Sequence, residues 1–351
     1  MRSIYLVLLA TLLVIGPAAT GARTDDERRA RWNRTDPDLG QAVIEGVATA
    51  QFLWLRGSSR KVVRFDRRTG ERSVAADGVI DILADGPHLW ALTAVNENEA
   101  ILKDIRGPGA PDRRLYHEGT PLALFPAGTG PGVLTDTTIL LPAAEDWSRR
   151  RMAARLDIGA HVSPLIGDAL FVGYDKGEWG GGLRRIDVSA GTVSIVREIS
   201  DELCGGRLNP ECSPVVGVVA DPDHERCVLA GASLAHLSGR YGEILRVCGE
   251  AITSVFADPL PVDRGGFALP GQTWPFDSLV PVHDGWIAVG QDRFARSRGG
   301  AVATADVPPL RPWAGLHVSD ALDGVIFVEA ACCWGSERSV QYQVIAVPIS
   351  E

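Results

Sequence analysis

Short apolar runs of one kind return along the chain at a near-constant interval, and this constrains the fold more than any other feature of the sequence. Runs such as Leu53-Trp54-Leu55, Leu89-Trp90-Ala91 and Trp286-Ile287-Ala288 close on Gly57, Thr93, Thr135, Gly173, Gly231, Gly290 and Glu329. The intervals are 36, 42, 38, 58, 59 and 39 residues. Repetition at this period marks units that cannot bury their apolar faces alone and must stack on their neighbours. The two long intervals carry extra residues at 200–212 and at 257–275, the second rich in Pro and Gly and without periodicity.

Each marker run follows another short apolar run, as at Val79-Ile80-Asp81-Ile82-Leu83, and precedes two more joined by Gly-containing turns. Segments 64–70 and 185–191 present the same hairpin twice, 121 residues or three periods apart. Four short strands per period of about 40 residues predict an all-β chain, a β-propeller with four antiparallel strands per blade. Seven blades are expected, with six as the alternative if the weak third unit, 120–156, does not close. A pair of β-sandwiches would leave the period unexplained. Helical patterning is present only at 146–156, where a strand reading competes.

The pattern resembles the secreted bacterial β-propellers of the YVTN and quinoprotein-like kind. The Asp-x-x-Thr-Gly hairpin from Asp66 to Gly70 is similar to the quinoprotein-type repeat but lacks its following Trp, and WD dipeptides and Asp-boxes are absent too. The resemblance implies a fold and no activity.

Arg2, an apolar run from Ile4 to Ile15 and a small-residue stretch ending at Ala22 have the order of a secretory signal peptide, so residues 1–22 are expected to be removed before Arg23. The run is shorter than the ~20 residues of a spanning helix, and no later segment approaches that length, so no membrane span is expected after cleavage. Residues 23–40 read as a flexible polar leader and 41–351 as a single propeller domain, secreted or periplasmic. The net charge of −9 has the wrong sign for nucleic acid or an anionic membrane.

Six cysteines in an exported chain point to disulfides, with fifteen possible pairings. Cys204 and Cys212 bracket the first insertion, and Cys227 and Cys248 fall within one unit. That leaves the adjacent Cys332 and Cys333 as a vicinal bridge or two thiols. Adjacent bonded cysteines accompany the cofactor in quinoprotein alcohol dehydrogenases, but this chain lacks their Trp-docking motifs. No Cys-x-x-Cys pair or His partner stands at zinc-ligand spacing.

In a propeller, the loops entering each innermost strand share one end of the ring with the loops between second and third strands. Glu178, Trp179, Arg240, Tyr241, Arg293, Arg296 and Trp334 are expected on the latter loops, where interleaved aromatics and arginines suit a small molecule, glycan or protein. His161 and His317 begin two His-Val-Ser triplets at inner-strand starts, and with Asp277 they are candidates for a divalent metal or an acid and base. No nucleophile elbow or phosphate loop is present. The leading expectation is an exported, non-catalytic binding protein using loops on one face. The alternative is a metal-dependent propeller lyase or hydrolase with axial histidines. No cofactor is predicted beyond that possible metal, and a closed ring leaves few strand edges, favouring a monomer.

Overall fold

The computed structural model divides the chain into two units, Met1–Trp32 and Asn33–Glu351. Within the second it describes residues 33–35, 43–49, 51–107, 111–143, 146–236, 239–261, 271–282, 285–290, 293–306, 314–319, 324–331 and 342–348, with side chains between 44 and 306. The expected signal peptide, Cys332, Cys333 and Trp334 lie outside the described residues.

Four consecutive strands form each of six blades, in antiparallel order. Blade 1 is β2 (Val43–Ala48), β3 (Phe52–Gly57), β4 (Val62–Asp66) and β5 (Arg72–Ala76); blade 2 is β6 (Val79–Asp85), β7 (His88–Asn96), β8 (Glu99–Asp104) and β9 (Arg113–Tyr116). Blade 3 is β10 (Pro121–Pro126), β11 (Pro131–Thr135), β12 (Thr138–Pro142) and β13 (Trp147–Arg151); blade 4 is β14 (Ala160–Val162), β15 (Ala169–Asp175), β16 (Gly181–Asp187) and β17 (Thr192–Val196). Blade 5 is β18 (Val215–Ala220), β19 (Val228–His236), β20 (Gly239–Cys248) and β21 (Ala251–Phe256); blade 6 is β22 (Ser278–Val282), β23 (Gly285–Val289), β24 (Arg293–Arg298) and β25 (Ala301–Asp306). A further four-stranded sheet sets β1 (Asn33–Thr35) beside β28 (Tyr342–Pro348), followed by β27 (Gly324–Ala331) and β26 (Ala314–Ser319). The third unit therefore closes as a full blade. Its ambiguous stretch at 146–156 contributes strand β13, not a helix.

The marker runs all fall at second strands, where the blade interior demands apolar residues on both faces. Leu53, Trp54 and Leu55 of β3 are buried in succession, whereas the outermost β25 is exposed along its length. Apolar clusters form between successive sheets. Leu83, Trp90 and Leu102 of blade 2 meet Leu124, Val133 and Trp147 of blade 3; Phe171 and Leu183 of blade 4 meet Val215, Val218 and Leu245 of blade 5. Face-to-face packing of this kind removes apolar area from water at about 25 cal/mol per Å² and supplies the stack's cohesion.

The duplicated hairpins form the same turn. Asp66 Oδ1 accepts the N–H groups of Arg68 and Thr69 at 2.8 and 2.9 Å, and Asp187 Oδ1 accepts the Ala190 N–H and the Ser189 hydroxyl, both at 2.8 Å. Gly70 and Gly191 follow at φ of +72° and +68°, a conformation natural to glycine. Backbone N–H donation, chiefly from Thr69 and Ala190, holds both carboxyls below the usual range.

A polar tie joins the inner strands of three blades. Arg56 Nε donates to Glu45 at 2.5 Å and its guanidinium lies 3.8 Å from Asp81, which accepts the Leu124 N–H at 2.6 Å. Burial pushes the carboxyls of Glu45 and Asp81 upward, and for Glu45 the neighbouring Asp81 adds to the rise.

One boundary moves. Asn33–Thr35, inside the expected leader, pairs with β28, with Arg34 opposite Ile345. An outermost strand needs backbone partners and little burial, so a polar composition does not exclude it.

Candidate functional site

One end of blade 4 gathers three connections: the entry to β14, the link from β15 to β16 and the first insertion, which leads from β17 into β18. The four most exposed large apolar side chains among the described residues all lie there. Ile158 is 81% exposed, Trp179 76%, Ile199 91% and Leu203 88%, whereas the next, Val74, at 62%, sits on outer strand β5. Exposed apolar side chains scattered singly need no explanation, whereas four on connections at one end of a single blade make this end the candidate site.

The three connections are bonded together. Lys176 Nζ reaches Asp157 at 2.7 Å, tying the β14 entry to the short 3₁₀ turn Gly177–Trp179. The Gly181 N–H donates to Pro210 O at 2.8 Å and the Gly182 N–H to Ser213 O at 2.9 Å, tying that turn to the insertion. Gly180 makes the approach possible: at φ +74° and ψ −121°, a Cβ there would meet the backbone of Glu211, Cys212 and Pro210, the last two at 2.5 and 2.6 Å. The Cys204–Cys212 disulfide closes the insertion on itself, and buried Leu208 anchors it in the cluster between blades 4 and 5. Cys204 and Leu208 have φ of +60° and +57°, two of the three such non-glycine residues among those described. Backbone held there costs free energy and persists only where surrounding contacts over-determine it. The insertion is thus a braced knuckle.

Charge around it is mostly negative. Segments 155–158, 175–180 and 197–212 hold Asp157, Asp175, Glu178, Glu198, Asp201, Glu202 and Glu211 against Arg155, Lys176, Arg197 and Arg207. Arg207 lies 2.9 Å from Glu198 and 3.5 Å from Glu243. Its backbone N–H and guanidinium hold the Glu198 carboxyl below the usual range. A shallow cavity of about 290 Å³ opens alongside, lined by Thr120, Asp136, Arg155, Leu156, Asp157 and Ile158. Its buried Asp136 is already satisfied by the Thr120 N–H at 2.8 Å and by Arg155 at 2.6 Å.

The residues singled out from the sequence divide between surface and scaffold. Glu178 accepts from His236 Nδ1 at 2.9 Å beside exposed Trp179. Arg240 and Tyr241 are on strand β20, and Arg293 and Arg296 on β24, in place of the loops expected for them. Arg240 is exposed. The Tyr241 hydroxyl donates to Cys212 O at 3.1 Å, bracing the knuckle, and burial pushes its pKa up. Arg293 pairs with Asp258 at 2.7 Å and lies 5.0 Å over the Trp274 ring, a structural stack. Arg296 is partly buried and engaged.

The axial candidates lie apart in sequence order around the sheets: His161 on β14, Asp277 just before β22, and His317 on β26 opposite Val328. Asp277 donates its N–H to Val289 O at 2.7 Å, and both His161 and Asp277 have partners. Among the described residues no group of three or more His, Cys, Asp or Glu side chains could hold a metal. Both nominated disulfides, Cys204–Cys212 and Cys227–Cys248, are present. No helix among the described residues is long and apolar enough to cross a membrane.

Ile158, Ile199 and Leu203 were not legible as site residues. Their one signal is that Leu203 is apolar within, and Ile199 apolar just before, a segment that breaks the period and so belongs to no blade strand.

Neither a family model nor a curated protein matches the chain. It is similar to a solved structure described as "YCF48 bound to D1 peptide", with a TM-score of 0.54 and 10% identity over 91% of this chain and 96% of that one. At that identity the likeness establishes the β-propeller fold and leaves function to the site.

Proposed function

We propose that the protein is an exported β-propeller that acts without catalysis, binding a partner protein through the blade-4 face. The observation that carries this reading is the concentration of Ile158, Trp179, Ile199 and Leu203 on bonded loops at one end of a single blade. The peptide named with the YCF48 neighbour agrees with it as fold-level analogy. Export is supported by the signal pattern at 1–22 and by the two disulfides, which persist in oxidising compartments. The ring is read as seven-bladed, the sheet of β1 and β26–β28 being the seventh, because β26 touches β22 on one side and β2 on the other. Pairing the N-terminal strand with the C-terminal three closes such a ring without a free edge.

The test is affinity capture from an envelope extract of the source organism, comparing the natural chain with Trp179→Ser/Leu203→Ser and with Val74→Ser. A partner retained by the natural chain and Val74→Ser, and lost by the double variant, supports the reading. Equal retention by all three, or no partner at all, overturns it.

A further inference from the structure

We infer that the blade-4 face takes a basic segment of its partner, a stretch in which lysine or arginine alternates with large apolar side chains. This rests on the reading of that face as a binding surface and adds the chemistry of the occupant. Charge complementarity is the argument. Lys176 is held by Asp157, and Arg207 by Glu198 and Glu243, whereas Arg197 and Arg240 are exposed and make no ion pair among the described residues. Asp175, Asp201, Glu202 and Glu211 are exposed and make no ion pair among the described residues. These four carboxylates outnumber the two unpaired arginines, and they lie on the same connections as apolar side chains that water solvates poorly.

An acidic cluster alone would be an ordinary solvated surface. Here it shares with four exposed apolar side chains a set of loops tied by a disulfide and by the Tyr241 and Gly181 hydrogen bonds, and a protein interface combines the same two parts, an apolar core that supplies affinity and a charged rim that selects and steers. Bracing also removes part of the ordering cost that a mobile loop would meet on binding. A segment of the same charge would be repelled, so polyanions and acidic peptides are the wrong class.

The test is a fluorescence titration of the full chain with labelled synthetic peptides of equal length, one alternating lysine with leucine, one glutamate with leucine and one lysine with serine. The lysine–leucine peptide is expected to bind, and the other two to bind at least about tenfold more weakly. Trp179→Ala should weaken the lysine–leucine peptide about tenfold. The exposed triple variant Asp201→Asn/Glu202→Gln/Glu211→Gln should weaken it at ~50 mM salt and matter little at ~500 mM, where the screening length falls to a few ångströms. Equal binding of the lysine–leucine and glutamate–leucine peptides, both lost in Trp179→Ala, would overturn the basic partner and leave the binding face standing. Failure of every peptide to bind, or binding indifferent to both variants, would overturn the inference and the face together.

Discussion

Gly180→Ala probes the bracing of the blade-4 face, and Gly177→Ala, three residues away, is its control. Both positions have positive φ, +74° and +59°, but nothing lies within 4 Å of a Cβ built at Gly177, whereas at Gly180 it meets the backbone of the insertion. For Gly177→Ala the cost is conformational, about 1–2 kcal/mol. At Gly180 the φ and ψ pair is closed to L-residues, costing about 1–3 kcal/mol, and displacing backbone that cannot rotate away adds about 1–3 kcal/mol. At roughly 2 °C per kcal/mol for a chain of this size, Gly180→Ala should melt ~4–12 °C below the natural protein and Gly177→Ala ~2–4 °C below. Calorimetry gives the melting temperatures. Hydrogen exchange reads the local effect, because the Gly181 and Gly182 amides donate into the insertion and should exchange about tenfold faster for each 1.4 kcal/mol lost. If the two variants melt together and exchange alike at those amides, the insertion is not held by this approach and the account of the braced face fails.

The raised carboxyls of Glu45 and Asp81 take up protons more readily when folded, so their contribution is complete below the ordinary carboxyl range and is lost as pH rises through the raised values. Glu45→Gln should therefore flatten the fall in melting temperature above the ordinary carboxyl range, and an unchanged slope would contradict the tie. Asp66 and Asp187 have the opposite sign: stability from their turns is present above the ordinary range and lost as pH falls, and Asp66→Asn should shallow the acid limb of the same curve. By loop length, removing Cys227–Cys248 by double Ser substitution should cost about 3.4 kcal/mol and removing Cys204–Cys212 about 2.6, measured by urea unfolding; the reverse order would count against the chain-entropy account. Trp274→Ala should cost about 3–5 kcal/mol, since this side chain of the second insertion is fully buried between blades 5 and 6, and a loss below ~1 kcal/mol would place it outside the core.

The second strands announced themselves because the middle of a blade is buried on both faces, so residues 52–55 of β3 and 286–289 of β23 read as unbroken apolar runs. Outer strands carry no such mark. The polar β1 falls within the expected leader, and the third strands β20 and β24 carry Arg240, Tyr241, Arg293 and Arg296, whose interleaved aromatic and cationic side chains suit a rim loop equally well. Both insertions were legible as breaks in the period, but their roles were not. Trp274 and Phe276 are buried by the second, and no periodicity could announce that, since the paired stems at Asp258 and Trp274 join residues far apart in sequence. The pairing of four cysteines followed from the unit boundaries. The exposed face did not, because whether Leu203 is covered depends on where the tertiary fold places the insertion.

The most direct test replaces Trp179 with a photo-crosslinking phenylalanine analogue in the source organism, with Val74 replaced as the control. A binding face at blade 4 predicts one discrete protein adduct from position 179, joined within a segment rich in lysine or arginine, and none from position 74. No adduct from position 179, or the same adducts from both positions, would contradict it.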